Sequence, residues 1–329
     1  MVSALSDVFT VSVKVMSMNI ITGTTDFRLE DSAVSLGKFD GVHIGHQKLI
    51  RTIAQEPSLH PVVFTFAPGS FAQAGILTQE EKRQKIAGLG VETLIEYPFT
   101  EAVKHMQPER FIQEVLVSRL GAKLVVVGDD YRFGYERAGN PHLLAQMAPD
   151  CGYELIVVPK VIMELEAVSS TRIRALLAEG RMESVTAMLG EPYSLSGKII
   201  PGNHIGHTIG TPTINIPPDP SKLLPPYGVY ATTTTIGGEL FYGITNLGVK
   251  PSVGLHNPPG AETFLFDVNR DFYGAEAEVH FLHLQRKERH FADLELLKAQ
   301  ISRDYTEAEN YFQSAETAGM DETRGDSDT

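Results

Sequence analysis

Near Gly190 the period of the sequence changes, and no single architecture accommodates both sides of the change. Before it, the apolar runs SAVSLGKF, PVVFTFA, ETLIEYPF, KLVVVGDD and YELIVVP alternate with helical stretches such as QKLIRTIAQ, EEKRQKIAGL and PERFIQEVLVSRLG, the last opened by Pro108 in its first turn. Strands that are apolar at nearly every position must be covered on both faces. This half is therefore expected to be a doubly wound, Rossmann-like α/β domain with a parallel sheet, binding its ligands beyond the carboxyl ends of the strands. After the change, YSLSGKII, TINI, GVYATTTTIGGELFYGITNLG, AETFLFDV and AEAEVHFLHL are β-branched or aromatic runs punctuated by glycine and proline. They predict a small all-β barrel. One helix should follow it, in FADLELLKAQISRDY, where Leu294, Leu297, Ile301 and Tyr305 share a face.

The expected organisation is an unstructured extension over 1–17, with Met18 as the functional start, an α/β domain over 18–188, a barrel domain over 189–314 and an acidic, unstructured tail over 315–329. A chain of 329 residues has room for two such cores. Its formal net charge of -13 argues against a nucleic-acid or anionic-membrane partner, while leaving room for a local basic site for phosphates. Cys151 is the single cysteine, which excludes an internal disulfide and a cysteine-based zinc site. No apolar run approaches the roughly 20 residues needed to cross a bilayer, and the first residues lack the pattern of a signal peptide. A cytoplasmic protein acting on small molecules is the expectation.

The stretch GKFDGVHIGH, residues 37–46, joins a predicted strand to a predicted helix and carries Gly37, Gly41 and Gly45 together with His43 and His46. Glycine admits close approach of a ligand to the backbone, and a helix start offers unpaired N–H groups and the positive end of a dipole, so the place suits phosphate. Imidazoles three residues apart can serve one phosphate group, donating to its oxygens as charge develops in phosphoryl or nucleotidyl transfer. A zinc reading is poorer, because no Glu lies between the histidines and no third ligand is near in sequence. Further on, VSSTRIRALLAEG sets Ser169, Ser170 and Thr171 before a helix, with Arg172 and Arg174 in its first turns. Hydroxyls and first-turn amides can hold a nucleotide's phosphates there while Arg174 supplies the cation; an ordinary capped helix is the plain alternative.

Together these elements resemble the bacterial bifunctional riboflavin kinase/FAD synthetases, over residues 18 to 313. GKFDGVHIGH is similar to the G-x-F-D-G-x-H-x-G-H element of that nucleotidyltransferase superfamily, VSSTRIR to its I-S-S-T-x-x-R element, and VVGDDYRFGYERAGN to the family's G-x-D-F-x-F-G segment. The resemblance implies ATP or phosphate contacts from Gly37, Phe39, Asp40, Gly41, Gly45, Ser169, Ser170 and Thr171, catalytic roles for His43, His46 and Arg174, and flavin contacts from Asp129, Tyr131 and Phe133. In the barrel half, GNHIGHTIGTPTINI resembles the kinase module's glycine-rich loop and G-x-P-T-x-N element. That implies phosphate contacts at Gly202, Gly206 and Gly210, and Mg2+ at Thr213 and Asn215, in keeping with the preference of Mg2+ for oxygen ligands. AETFLFDVNRDFYG resembles the segment whose leading Glu is the general base, here Glu262, and LQRKERHF resembles a segment near the flavin, nominating Arg286 and Phe291.

Two departures stand out. Where the family has T-F-D-P-H-P, this chain reads TFAPGS, with Ala67, Gly69 and Ser70 in place of Asp, His and Pro; in the kinase loop, Ile205 and His207 stand where arginines are frequent, and Thr211 where Phe is. The implied activity is phosphorylation of riboflavin to FMN followed by adenylylation of FMN to FAD, with ATP as co-substrate and Mg2+ as cofactor. A kinase with a weakened adenylyltransferase module, or a non-catalytic flavin-binding regulator, are the alternatives.

Overall fold

The computed structural model describes residues 18–67, 73–201, 213–249, 258–289, 291 and 293–322. The expectations placed on residues 1–17 and on Gly69, Ser70, Gly202, Ile205, Gly206, His207, Gly210 and Thr211 lie outside the described residues. The chain divides into two compact units, residues 1–170 and 171–329.

The first unit is built on a six-stranded, wholly parallel sheet of β1 (Asn19–Thr22), β2 (Ser32–Leu36), β3 (His60–Phe66), β4 (Thr93–Tyr97), β5 (Ala122–Gly128) and β6 (Glu154–Val158) in the order β1-β4-β3-β2-β5-β6. The reason the strands read as continuous apolar runs is visible in the packing. Val34, Leu36, Val62, Phe64, Ile95, Val125 and Val127 pack on one side of the sheet with Phe111, Ile112, Val115, Leu116 and Leu144. Ala33, Val63, Leu94, Leu124 and Val126 pack on the other with Leu49, Ile50, Ile53 and Ile86. Helices α1 (Ile44–Ala54) and α2 (Gln79–Ala87) thus cover one face, and α3 (Glu101–Lys104), α4 (Pro108–Phe111), the π-turn that continues it over Ile112–Val117, and α5 (Pro141–Cys151) lie along the other side of the topology. From β2 the chain steps outward through β3 and β4, then returns to the opposite side of β2 with β5. The switch point therefore lies between β2 and β5, where such sheets form their ligand crevice.

After a short antiparallel pair, β7 (Ile162–Met163) and β8 (Glu166–Ala167), come α6 (Ser170–Glu179) and α7 (Met182–Leu189). The helix α7 packs on β9 (Tyr193–Lys198) and β14 (Glu276–Lys287) of the second unit, which is why it groups with that unit although the sequence places the boundary at 188/189. With β10 (Thr213–Ile216), β11 (Gly228–Ile236), β12 (Glu239–Val249) and β13 (Pro259–Leu265) these strands form an antiparallel sheet in the order β10-β13-β12-β11-β14-β9. Just beyond β9, Ile200 forms an antiparallel bridge with Asn215 of β10, the other outer strand, donating its N–H to Asn215 O at 2.9 Å. The sheet is thereby drawn into a barrel, which leaves little edge exposed.

The interior of this barrel is partly polar. Thr232, Thr245 and Thr263, all fully buried, link hydroxyl to hydroxyl across three strands at 2.8 Å each. The outer face of β11, β12 and β13 is apolar, with Val229, Ala231, Ile244 and Phe264, and is covered by Ala308, Tyr311 and Phe312 of α8 (Leu294–Glu322).

The expected face of this helix meets the barrel at Tyr305, whose ring lies 4.4 Å from Phe266. Beside it runs a more buried stripe of Gln300, Asp304 and Ala308, because Asp304 turns inward to accept two bonds from Arg286, Nε to Oδ1 at 2.9 Å and Nη2 to Oδ2 at 2.7 Å. The helix runs through Glu322, into the segment expected to be an unstructured tail. Ala315, Glu316, Ala318 and Met320 are good helix formers, and extending an existing helix needs no new nucleus.

Candidate active sites

The β2–α1 connection carries the first site. Beyond Leu36 the backbone takes left-handed conformations at Phe39 (φ 50°), Gly41 (φ 82°) and Val42 (φ 41°) before extending at His43 (φ -64°, ψ 169°), which caps α1. For a buried aromatic and a β-branched residue such conformations cost about 1–3 kcal/mol each and persist only where surrounding contacts enforce them. The enforcing contacts are present. Asp40 Oδ1 accepts from the Ile76 N–H at 3.0 Å, and Gln47 Nε2 donates to Val42 O at 3.1 Å. A side chain at Gly41 would meet Ile76 at 3.1 Å, so the position requires glycine for space as well as for φ.

The turn brings the two histidines together as one unit. Their rings stack with centroids 3.6 Å apart and 17° between planes, and the edge of Phe39 packs against His46 at 5.2 Å. His43 Nδ1 accepts from the His46 N–H at 3.3 Å. In the neutral ring the proton therefore sits on Nε2, which is left as the donor for a ligand. A Cβ at Gly45 would stand 3.2 Å from the His43 ring, so glycine lets the imidazole lie over the first turn. His46 Nδ1 is enclosed and makes no hydrogen bond among the described residues.

Burial pushes His43 down to about 4 against the opposing pull of Asp40, and burial pushes His46 well below its ordinary value, with His43, Lys82 and Lys85 adding to the effect. Both are neutral donors at neutral pH. Between the ordinary 6.5 and about 4, the unfolded chain takes up a proton at His43 that the folded chain refuses, so stability falls as pH falls through that window. The thermal midpoint of the parent should drop more steeply there than that of His43→Asn, which keeps a capping oxygen and cannot titrate; equal slopes in the two proteins would refute this.

The second motif reaches the same turn. Ser170 Oγ, at the start of α6, donates to Asp40 O at 2.8 Å across 130 residues of sequence. Thr171 is exposed, while Arg172 and Arg174 are half-buried. At the end of β5, Asp129 is exposed and Tyr131 stacks on Phe133 at 5.6 Å, its hydroxyl pushed up by burial. Phe133 itself is 7% exposed and packs on Phe111, filling the room that Gly139 leaves. It builds the floor of this region. Phe39 likewise supports His46 from within the core. Ala67, the described member of the departing TFAPGS, continues β3 by donating its N–H to Tyr97 O at 2.9 Å.

In the second unit, register assembles the other site. Asn215 on β10 and Asn246 on β12 both stand directly opposite Glu262 on β13, and Thr213, two residues before Asn215, shares their face. Thr213 Oγ1 donates to Glu262 Oε1 at 2.9 Å, and Asn215 is 4% exposed. The result is a half-buried carboxylate bonded to the Thr213 hydroxyl, with two asparagines at the facing register positions, a donor set that suits a hard divalent cation. Arg286 serves the structure of the barrel. Besides its bidentate pair with Asp304, its guanidinium lies 5.7 Å from the Phe291 ring, which also faces Arg289 at 4.8 Å. Among the described residues no helix is long and apolar enough to cross a membrane.

Comparison with known proteins agrees with both sites. Residues 26–172 match the FAD synthetase family model, and residues 189–312 match the riboflavin kinase model. A bifunctional riboflavin kinase/FMN adenylyltransferase of Bacillus subtilis strain 168 is 35% identical over 296 residues, covering 85% of this chain and 92% of the relative. The chain belongs to the bifunctional riboflavin kinase/FMN adenylyltransferase family. Members from Listeria monocytogenes (34% identical, 87% of this chain, 94% of the relative) and Escherichia coli K12 (32%, 86% and 93%) span it equally. A crystal structure described as a macrolide-efflux protein from Streptococcus pneumoniae superposes with a TM-score of 0.75 at 27% identity, covering 89% of this chain and 99% of its own. Family membership gives the chain its two transferase activities, riboflavin to FMN and FMN to FAD, with ATP and flavins as substrates.

Sequence reasoning did not find Lys82 and Thr65, whose polar groups close around the Lys38 carbonyl at the root of the first site. The signal was available: α2 follows the carboxyl end of β3, the end at which a parallel sheet holds its ligands, and it carries two lysines three residues apart.

Proposed function

We propose that Glu262 accepts the proton of the riboflavin 5'-hydroxyl as that oxygen attacks the γ-phosphorus of ATP, the P–O bond to ADP breaking as the new P–O bond to the 5'-oxygen forms, which gives FMN and ADP. Thr213 and Asn215 would hold Mg2+, which when bound neutralises phosphate charge. The carboxylate holds one hydrogen bond from Thr213 at 2.9 Å and keeps acceptor capacity for the substrate hydroxyl. In the first unit an FMN phosphate oxygen attacks the α-phosphorus of a second ATP and pyrophosphate leaves. His43 Nε2–H, His46 and the amides at the start of α1 donate to the oxygens on which charge grows, with Ser169 and Ser170 beside them; Thr171 and Arg174 are the further candidates that the second motif offers for the nucleotide's phosphates. No covalent intermediate on the enzyme is required.

The observation that carries this reading is the stacked pair of neutral imidazoles at a strained turn on the sheet's switch point. The net charge of -13 and the single cysteine favour a cytoplasmic enzyme of small molecules, without nucleic-acid or membrane partners. The test is to incubate the purified chain with riboflavin, excess ATP and Mg2+ and to resolve the flavins over time. FMN followed by FAD supports the reading. FMN alone would mean that the first unit does not transfer adenylyl groups, and no product would favour a flavin-binding regulator.

A further inference from the structure

Lys82 of α2 makes bonds that reach the β2–α1 turn. Its Nζ donates to Lys38 O at 2.6 Å and to Thr65 Oγ1 at 3.2 Å, and Thr65 Oγ1 itself donates to Lys38 O at 3.2 Å. Lys38 O is the last carbonyl before the backbone turns left-handed at Phe39, so these bonds fix the point from which the strained turn departs. They also tie together the carboxyl ends of β2 and β3, and they come from a helix anchored independently of the turn. Thr78 and Glu81 form a reciprocal cap at the start of α2, and Arg83 is paired bidentately with the fully buried Glu96 of β4, at 2.8 and 2.7 Å. Gln79 also donates to Glu96. The α2 helix is therefore a fixed post, and Lys82 is the strut from it to the turn.

The strut carries charge. Burial lowers the Lys82 ammonium to about 8 while Asp40 and Glu96 hold it up, so it remains mostly protonated at neutral pH, and its field helps to keep His46 neutral. Lys82 is half-buried, so water competes less for its bonds than it would at a fully exposed lysine. An ammonium so placed makes short, charge-assisted bonds. We infer that Lys82 is a positioning residue of the adenylyl-transfer site: it braces the Lys38 carbonyl, with Thr65, so that the Phe39–Val42 turn presents His43 and His46 in their stacked arrangement. The inference rests on the reading of that turn as the adenylyl-transfer site.

The experiment uses the full chain and two readouts. In Lys82→Met, which keeps the length of the stem, amide exchange of a peptide covering residues 37–47 should quicken, while β5 and β6 keep their protection. The kcat of FAD formation from FMN and ATP should fall by about tenfold to a hundredfold with a smaller change in the KM for ATP, the pattern expected when reacting groups are misplaced, not merely bound less well. FMN formation by the barrel is the internal control and should stay within about twofold of the parent. In Lys82→Ala, added ethylammonium should restore part of the FAD-forming rate, which ties the loss to the missing ammonium. Unchanged exchange over 37–47 overturns the inference. So does parallel loss of both activities with a lowered thermal midpoint, which would make Lys82 a general stabiliser. If the parent forms no FAD, the reading of the site fails, and the exchange comparison still decides whether Lys82 braces the turn.

Discussion

His46→Ala is expected to lower the kcat of FAD formation by about 10²–10³-fold, the usual cost of removing one preorganised donor from a site where charge develops, while FMN formation stays unchanged. His46 is the cleaner of the two histidines to remove. His43 caps α1 through its Nδ1, so replacing it also disturbs the helix start, whereas His46 Nδ1 makes no hydrogen bond among the described residues and the ring is held by stacking on His43 and by the edge of Phe39. A loss confined to FAD synthesis would identify the imidazole as part of the reacting machinery. Retention of FAD formation within about twofold would remove His46 from it and leave the pair as packing.

The complementary substitution, Glu262→Gln, should lower the kcat of FMN formation by about 10²–10⁴-fold, the range for loss of a positioned general base. Glutamine keeps the shape and an oxygen for the Thr213 hydroxyl, so the β10–β13 contact at 2.9 Å can survive while the ability to take a proton is lost. FAD formation from supplied FMN should be unaffected, because that chemistry belongs to the other unit. Equal loss of both activities would mean that the substitution damages the barrel as a whole and would deny Glu262 a specific role. Assaying both variants with both substrates yields a two-by-two result in which only one diagonal supports two independent centres.

Much of this arrangement is legible in the one-dimensional pattern. Residue-by-residue apolarity in KLVVVG and PVVFTF reports a sheet buried on both faces, and the abrupt loss of helical spacing after Gly190 reports the barrel. Local sequence also marks the turn with its histidines. What it conceals are relations across long separations. Ser170 reaches Asp40 over 130 residues, and Arg286 finds Asp304 on a helix whose spacing alone suggests an apolar face one position away. The helix α5 is not among the expected elements, although its ends carry local signals: Pro141 sits in the first turn, where no N–H is missed, with Asn140 capping Leu143 at 3.0 Å and Gly152 closing the end in a left-handed conformation. The short β1 escapes because four residues carry little period, and only its pairing with β4 defines it. Lys82 escapes a reading of the sequence because its partner is a backbone carbonyl, which no side-chain motif reports.

The pairing of Asn215 with Glu262 has a consequence for how this barrel can change. Strand β10 turns Ile214 and Ile216 to one face and Thr213 and Asn215 to the other, so a slip of one residue against β13 would put isoleucine opposite the carboxylate and carry the Asn215 amide to the isoleucine face. The same alternation that holds the strand in its groove also sets the reacting groups side by side. An insertion or deletion within β10 would therefore cost folding energy and phosphate transfer in one stroke. Selection for a stable barrel, with no reference to flavin, would by itself keep this constellation aligned.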